Sequence, residues 1–366
     1  MKVNPQRRKK IVREGSKKGQ PGVATTQMPE PVEPSRPTII DVAALAKVSP
    51  ATVSNALNER PNVDQETRKR VLAAVRKLGY TPNLRARRLR TGRADTIAIF
   101  SSMSLAIAGG RARLGFTMEI AAAAAVRALE SGIALVLVPP SPNGQSAFRD
   151  LHIDGALIVE PMKGDPEIAF LQQRGVPVVS IGRYPDNEAV PHVDVSPYQV
   201  AKLLTEHLYG QTARNIALIV GAQQRYSHLE TERAYRDFAS AHGMRAIVRR
   251  ADEAGGENAG HAAAVGLLSK HPELDGLFVS VDAFAAGARR AAAELGRSVP
   301  GTLKMATRYD GIHARESDPP LTAVNLHLDE LAILGVELLL EHIAGRTERK
   351  YAIGPTATLI PRASSA

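Results

Sequence analysis

The 366-residue chain contains no cysteine, which excludes a disulfide frame and thiolate metal sites. It has no tryptophan and only 4% aromatic residues, too few for recognition of single strands by base stacking. No apolar run reaches the roughly 18 residues of a membrane span, and the first residues lack the apolar core of a secretory signal. A cytoplasmic protein with no membrane partner is expected. Catalytic signatures are missing too. Neither H-E-x-x-H nor G-x-S-x-G occurs, and there is no G-x-x-x-x-G-K-[ST] loop. The glycine-rich, basic stretch Gly109-Gly110-Arg111-Ala112-Arg113-Leu114-Gly115 is not G-x-G-x-x-G and lies well beyond the strand that precedes it. The ten histidines are scattered, and a lone one on a helix, such as His207, reads as structural or surface. The expectation is a non-enzyme with no catalytic residues, no cofactor and no metal.

What is present is charge, unevenly distributed. Residues 1–93 hold 21 Lys+Arg against 7 Asp+Glu, whereas the remainder holds 26 against 30, so a front of +14 precedes a body of −4. A basic front on a mildly acidic body points to a polyanionic partner for the front alone. The first 37 residues, with a basic run followed by proline-rich sequence of no periodicity, read as a disordered tail. Met28 would serve as an alternative start that leaves the following segment whole.

The segment Thr38 to Asn58, TIIDVAALAKVSPATVSNALN, has the pattern of a helix-turn-helix. Thr38 and Asp41 stand three apart, as a capping box requires. Val42, Leu45 and Ala46 make one apolar stripe. Lys47-Val48 turns the chain, and Ser49-Pro50 restarts it with an N-cap and a first-turn proline. Val53 and Leu57 face inward, leaving Pro50, Ala51, Thr52, Ser54 and Asn55 on an outer face of small polar residues suited to a major groove. Asp64 starts a third helix, QETRKRVLAAVRKL, with Val71, Val75 and Leu78 inward and Gly79 as terminator.

The basic run Tyr80-Thr81-Pro82-Asn83-Leu84-Arg85-Ala86-Arg87-Arg88-Leu89-Arg90-Thr91-Gly92 follows. With DVAALAKVSPATVSNALN, VDQETRKRVLAAVRKLGYTPN and N-x-x-A-x-x-L-x-x-x-G in order, the chain resembles the LacI family of bacterial transcription regulators, more weakly toward its end. The resemblance implies a DNA-binding set of Thr38, Ser49, Pro50, Ala51, Thr52, Ser54, Asn55 and Asn58. Pro50, Ala51 and Asn55 would face base edges, with Ser49, Thr52 and Ser54 near phosphates. It also implies a hinge, residues 82–91, that becomes a short helix on operator DNA. Asn83, Ala86 and Arg87 would belong to it, with Leu89 wedged into the minor groove. The DNA-binding domain is then 38–93, acting as a homodimer, or a tetramer, on a pseudo-palindromic double-stranded operator.

From Ala94 onward strands alternate with helices. TIAIF (96–100), ALVLVP (134–139), GALIVE (155–160) and VPVVSI (176–181) are short apolar runs of the fully buried kind. NIALIV (215–220), RAIVRR (245–250), GLFVSV (276–281), LKMAT (303–307) and LTAVNL (321–326) form a second set. The rhythm predicts two successive α/β lobes of about 100 residues with mostly parallel sheets. By resemblance, 94–366 is a periplasmic-binding-protein-like domain for dimerisation, with a small effector bound between its lobes.

Ligands of open α/β sheets sit at the carboxyl ends of strands. That rule selects Ser101, Ser102, Glu160 and Arg183 in the first lobe, and Ser227, Asp282, Arg308 and Asp310 in the second. His327 joins them because the family often has an effector-contacting carboxylate there. Three positions depart from the family pattern: Thr231 in place of an arginine, Val281 in place of an amide, and His327. A hexose needs several fixed hydrogen-bonding side chains, so these departures argue against a sugar as effector. The expected function is a repressor modulated by a small molecule. An effector-independent global regulator is one alternative. A solute-binding protein is another, which the basic reader at 38–93 disfavours.

Overall fold

The computed structural model describes residues 37–81, 92–104, 115–139 and 151–366. The leader and the hinge positions Asn83, Ala86, Arg87 and Leu89 lie outside the described residues. Two compact units divide between Leu84 and Arg85.

The first unit holds three helices, α1 (Ile39–Ala46), α2 (Pro50–Leu57) and α3 (Gln65–Leu78). Each begins on the cap its sequence specifies. The Thr38 backbone N–H donates to Asp41 Oδ2 at 2.8 Å and the Asp41 N–H donates to Thr38 Oγ1 at 3.4 Å, which closes the capping box. Ser49 Oγ accepts from Thr52 N at 3.1 Å, and Asp64 Oδ1 from Thr67 N at 2.9 Å. Gly79 terminates α3 in the left-handed region, φ 62°. Val42, Ala43, Ala46, Val53, Ala56, Val71 and Ala74 form the core. The predicted stripe shifts by one position, because Ala43 turns inward while Leu45 is 42% exposed. Two short helices crossing closely need a small residue at the contact.

The second unit has two lobes. The first is a six-stranded parallel sheet in the order β11-β5-β4-β3-β1-β2, built from β1 (Thr96–Ser101), β2 (Ala134–Val138), β3 (Gly155–Val159), β4 (Val178–Ile181), β5 (His192–Asp194) and β11 (Tyr351–Ile353). Alternate residues of β1 and β3 serve opposite faces. Ile97, Ile99, Leu157 and Val159 pack under α4 (Phe116–Glu130) and α11 (Leu328–Ile343), while Ala98, Phe100, Ala156 and Ile158 pack under α5 (Pro166–Gln173). Burial on both faces is why these strands read as unbroken apolar runs. β2 departs from that expectation: it is one of the two edge strands, and Leu137 is 39% exposed.

The second lobe is a four-stranded parallel sheet, β7-β6-β8-β9, from β6 (Ile216–Gly221), β7 (Ile247–Ala251), β8 (Gly276–Val279) and β9 (Lys304–Thr307). Helices α6 (Pro197–Gly210) and α7 (Tyr226–Ala241) cover one face, and α8 (Gly256–Lys270) and α9 (Asp282–Glu294) the other. α8 and α9 approach so closely that a Cβ on Gly287 would lie 1.9 Å from the Glu257 carbonyl oxygen. The short helix α10 (Ile312–Glu316) follows β9.

The lobes are not successive in sequence as the rhythm suggested. The chain leaves the first lobe after β5, and α6 packs on α7 of the second. It returns after β10 (Ala323–Asn325), so that α11 covers the first sheet. It crosses once more between β11 and β12 (Thr358–Ile360), which pairs antiparallel with β10. β5, β11 and β12 were not expected from the sequence, because three residues carry too little periodicity to register. The first two crossings are built alike. Asp194 Oδ1 accepts from Ser196 N and Asn325 Oδ1 from His327 N, both at 2.9 Å, and Ser196 and His327 adopt φ 49° and 52°. An Asx turn with a left-handed residue thus redirects the strand into the other lobe's helix at both places.

Tyr235 of α7, fully buried, stitches the start of the second sheet. Its hydroxyl donates to the Ile216 carbonyl at 2.7 Å and accepts from Ile247 N at 2.9 Å. Tyr235→Phe removes the hydroxyl from a buried carbonyl and a half-buried N–H at these strand ends. It should lower unfolding stability by about 1–3 kcal/mol, read as a lower urea midpoint with an unchanged slope. An unchanged midpoint would mean that the two strand ends find other partners.

Candidate DNA interface and interlobe cleft

Capping decides which side chains of the helix-turn-helix are free. Thr38 and Ser49 each spend one oxygen on a helix start, and Ser49 Oγ also lies 2.9 Å from Thr52 Oγ1. Asn58 caps the end of α2, its amide donating to the Ser54 carbonyl at 2.7 Å. Pro50 and Ala51 are exposed, whereas Thr52, Ser54 and Asn55 are half-buried along the same helix. Asn55 is therefore the residue of the outer face whose amide no cap consumes, and it carries both a donor and an acceptor.

In the second unit the carboxyl ends of both sheets face a cleft of about 690 Å3, counted with its open mouth. Met103, Phe116, Thr117 and Glu160 line it from the first lobe, and Arg225, His228, Glu253, Ser280, Val281, Asp282, Arg308 and Tyr309 from the second. Glu160 ends β3 in the left-handed region at φ 50°, a conformation costly for a residue with a Cβ and typical of functional sites. Its carboxylate is buried between the lobes. Arg308 Nη2 donates to Oε1 at 2.8 Å and Ser227 Oγ to Oε2 at 2.5 Å. Burial would push this carboxyl up, but Arg308 and Ser227 outweigh it and hold it below the usual range.

A second buried pair stands beside it. Arg225 grips Glu253 with two nitrogens, Nε at 3.1 Å and Nη2 at 2.8 Å. It also donates Nη1 to the Glu160 carbonyl and Nη2 to the Ser102 carbonyl at 2.8 Å. Gly221 makes room for this group, since a Cβ there would fall 2.2 Å from His228 Cε1 and 2.8 Å from Glu253 Oε1. Burial pushes the His228 imidazole down, which keeps it neutral. Two guanidinium groups thus face two carboxylates, and the inner cleft is balanced in charge.

Asp282, at the start of α9, differs from these. Its Oδ1 is shielded from solvent and has no hydrogen-bond partner among the described residues. Burial, with Asp310 and Glu257 nearby, raises its carboxyl from 3.8 to about 7. Ser280 Oγ and Arg308 Nε are likewise buried without a partner. Phe116 supplies an apolar wall, edge-on to Tyr309 at 5.4 Å and 6.0 Å from the Arg308 guanidinium carbon.

Of the residues selected from the sequence, Glu160, Asp282 and Arg308 line this cleft and Ser227 bonds Glu160. Ser101 and Ser102 sit one step behind the wall. Ser101 Oγ lies 3.4 Å from Thr117 Oγ1, and the Ser102 hydroxyl bonds Asp165. Arg183 is at the first crossing, 2.8 Å from Asp194. Asp310 is held by Arg315 at 3.1 Å and Arg362 at 2.6 Å. His327 is at the second crossing, with Nε2 3.2 Å from Thr358 Oγ1. Arg225, Glu253 and Phe116 were not selected. Glu253 follows the end of β7, so the same strand-end rule reaches it. Arg225 is one residue before α7, and only the folded loop brings it across.

A helix-turn-helix reader followed by a two-lobed, cleft-bearing α/β unit defines a class of protein, the DNA-binding transcription regulators. Residues 38–83 match the model of bacterial regulatory proteins, lacI family, and 205–365 match a periplasmic binding protein-like domain. The HTH-type transcriptional regulator CelR of Thermobifida fusca is 31% identical over 330 residues, covering 85% of this chain and 93% of that protein. The ribose operon repressor of Halalkalibacterium halodurans is 30% identical over 313 residues, covering 84% and 90%. A solved complex of transcriptional regulator CelR with cellobiose superposes with a TM-score of 0.67 at 29% identity, covering 90% of this chain and all of that one. The chain belongs to the lacI family of bacterial regulatory proteins. No helix among the described residues is long and apolar enough to cross a membrane.

The raised Asp282 carboxyl sets a pH dependence. Its folded value, about 7, lies above the unfolded 3.8, so the folded protein holds the proton more tightly. Stability is fully present below 3.8, declines as pH rises toward about 7, and is flat above. Asp282→Asn should remove that decline, so its melting temperature gains on the parent's across this window. Parallel pH profiles for the two proteins would show that Asp282 is ionised throughout.

Proposed function

We propose that the protein is a dimeric repressor whose operator affinity is modulated by a small neutral, polyhydroxylated effector in the interlobe cleft. The observation that carries this reading is the set of buried groups at the cleft wall that have no partner among the described residues: Ser280 Oγ, Asp282 Oδ1 and Arg308 Nε. Buried polar atoms left unpaired are costly, and a ligand with several hydroxyls satisfies all three. The two buried ion pairs, Arg225 with Glu253 and Arg308 with Glu160, balance each other, and Phe116 offers a ring to an apolar sugar face. Cellobiose, bound by the relative CelR, has this chemistry. The departures at Thr231 and Val281 matter less than the sequence suggested. Arg308 and Ser280 supply hydrogen-bonding groups in the same cleft, and Thr231 does not line it.

An apolar stripe supports self-association. Val126 and Leu129 of α4 are 61% and 72% exposed, and Leu137 of the edge strand β2 adds to them. A dimer joined there would place two readers on a two-fold operator. Effector binding in the cleft would then reach DNA through the hinge at 82–91. A helix that short does not hold alone in water.

Two experiments test this. In a melting screen of the full chain, a neutral saccharide at 100 times its Kd should add about 2.7 kcal/mol of stability. Stabilisation by anions alone would overturn the effector class. For the DNA interface, an amide pairs naturally with adenine N6 and N7. Asn55→Ala should weaken operator binding by about 1–3 kcal/mol and relax the preference at one base pair per half-site. Equal losses on operator and random DNA would remove Asn55 from base reading.

A further inference from the structure

We infer that the two lobes of the second unit carry their own latch, a buried ionic clasp that holds the cleft closed with no effector present. In a two-lobed binding fold closure is ordinarily secured by ligand touching both lobes; here protein groups already span the gap. Glu160, from the first lobe, is 5% exposed, and its partner Arg308, from the second, 8%. Their 2.8 Å contact is therefore made out of water, where charge attraction is strong and a lone charge is costly. Ser227 takes the other carboxylate oxygen, so opening would strip the Glu160 carboxylate of both the described side chains that bond it.

Arg225 fixes the same gap from the second lobe by a different route. Its guanidinium is locked by two bonds to Glu253 of its own lobe. Being held, it presents its remaining N–H groups to the first-lobe carbonyls of Ser102 and Glu160. The backbone joins in: Lys163 N donates to the Gln224 carbonyl at 2.8 Å, and Met162 and Arg225 form an antiparallel bridge. Ser104 Oγ, from the first lobe, donates to the Glu253 carbonyl at 2.7 Å. A sheet-like bridge between lobes, flanked by two buried ion pairs, is not a chance contact of mobile surfaces.

The latch changes what an effector does. A ligand that fits the closed cleft finds it already formed, and its apparent affinity is not reduced by a scarce competent state. A ligand too large for it must break Glu160 from Arg308. Effector control then acts by tightening or releasing a closed unit rather than by closing an open one. This holds whether or not the effector is a saccharide.

The absence of cysteine allows the test on the full chain. Labels at Ala169→Cys on α5 and Ala262→Cys on α8, both exposed, report the lobe separation by single-molecule energy transfer, on protein unfolded and refolded to strip any bound ligand. The expected result is one predominant short-distance population. Glu160→Gln and Arg308→Met should each move most molecules to a longer distance, and the double variant should open less than Arg308→Met alone, because it buries no unpaired carboxylate. A long-distance or evenly mixed population in the parent chain would overturn the latch, even if a variant fails to fold. So would an unchanged distance in variants that melt cooperatively.

Discussion

The second unit is organised around one desolvated carboxylate. Glu160 sits at the tip of a first-lobe strand in a backbone conformation that few side-chain-bearing residues adopt, with almost no access to water. Among the described residues, the cation and the hydroxyl that neutralise it come from across the cleft. That requirement brings the carboxyl ends of the two sheets together. It also places Arg308 and Arg225 where they balance Glu160 and Glu253, while Asp282 has no ion-pair partner among the described residues. Charge balance inside and a raised carboxyl at the wall are both consequences of a site built to exclude water.

The DNA reader was almost fully legible in the sequence because its signals are local. A capping box, a proline at a helix start and a terminal glycine each act within four residues, and each appears where the spacing of Thr38, Asp41, Pro50 and Gly79 puts it. Leu45 was misplaced for a non-local reason: whether it or Ala43 turns inward depends on how close the neighbouring helices come. The doubly buried strands were equally legible, since burial on both faces leaves an unbroken apolar run.

The cleft was legible only in part. Strand ends point to Glu160, Asp282 and Arg308, because topology fixes them and pattern reveals strands. Arg225 and Phe116 belong to the loop or first turn of a helix, and their role depends on which lobe they confront. The three crossings hid this, for β5, β11 and β12 are three residues each and leave no periodic trace. Without them the chain reads as two lobes in succession, and Arg183, Asp310 and His327 fall into a cleft they only border or support.

The division of charge along the chain fits this division of labour. The basic front engages a polyanion at a strength set by salt, while the acidic body holds a cleft whose two buried ion pairs balance. If cleft and reader form one machine, their ligands must be thermodynamically linked. The most direct measurement is the affinity of a cleft-binding ligand for the full chain, taken free and then saturated with operator at one salt concentration. The two affinities should differ, and the ligand should shift operator affinity by the same factor. Identical affinities, for a ligand whose binding is lost on changing Asp282, would show that cleft and DNA are uncoupled.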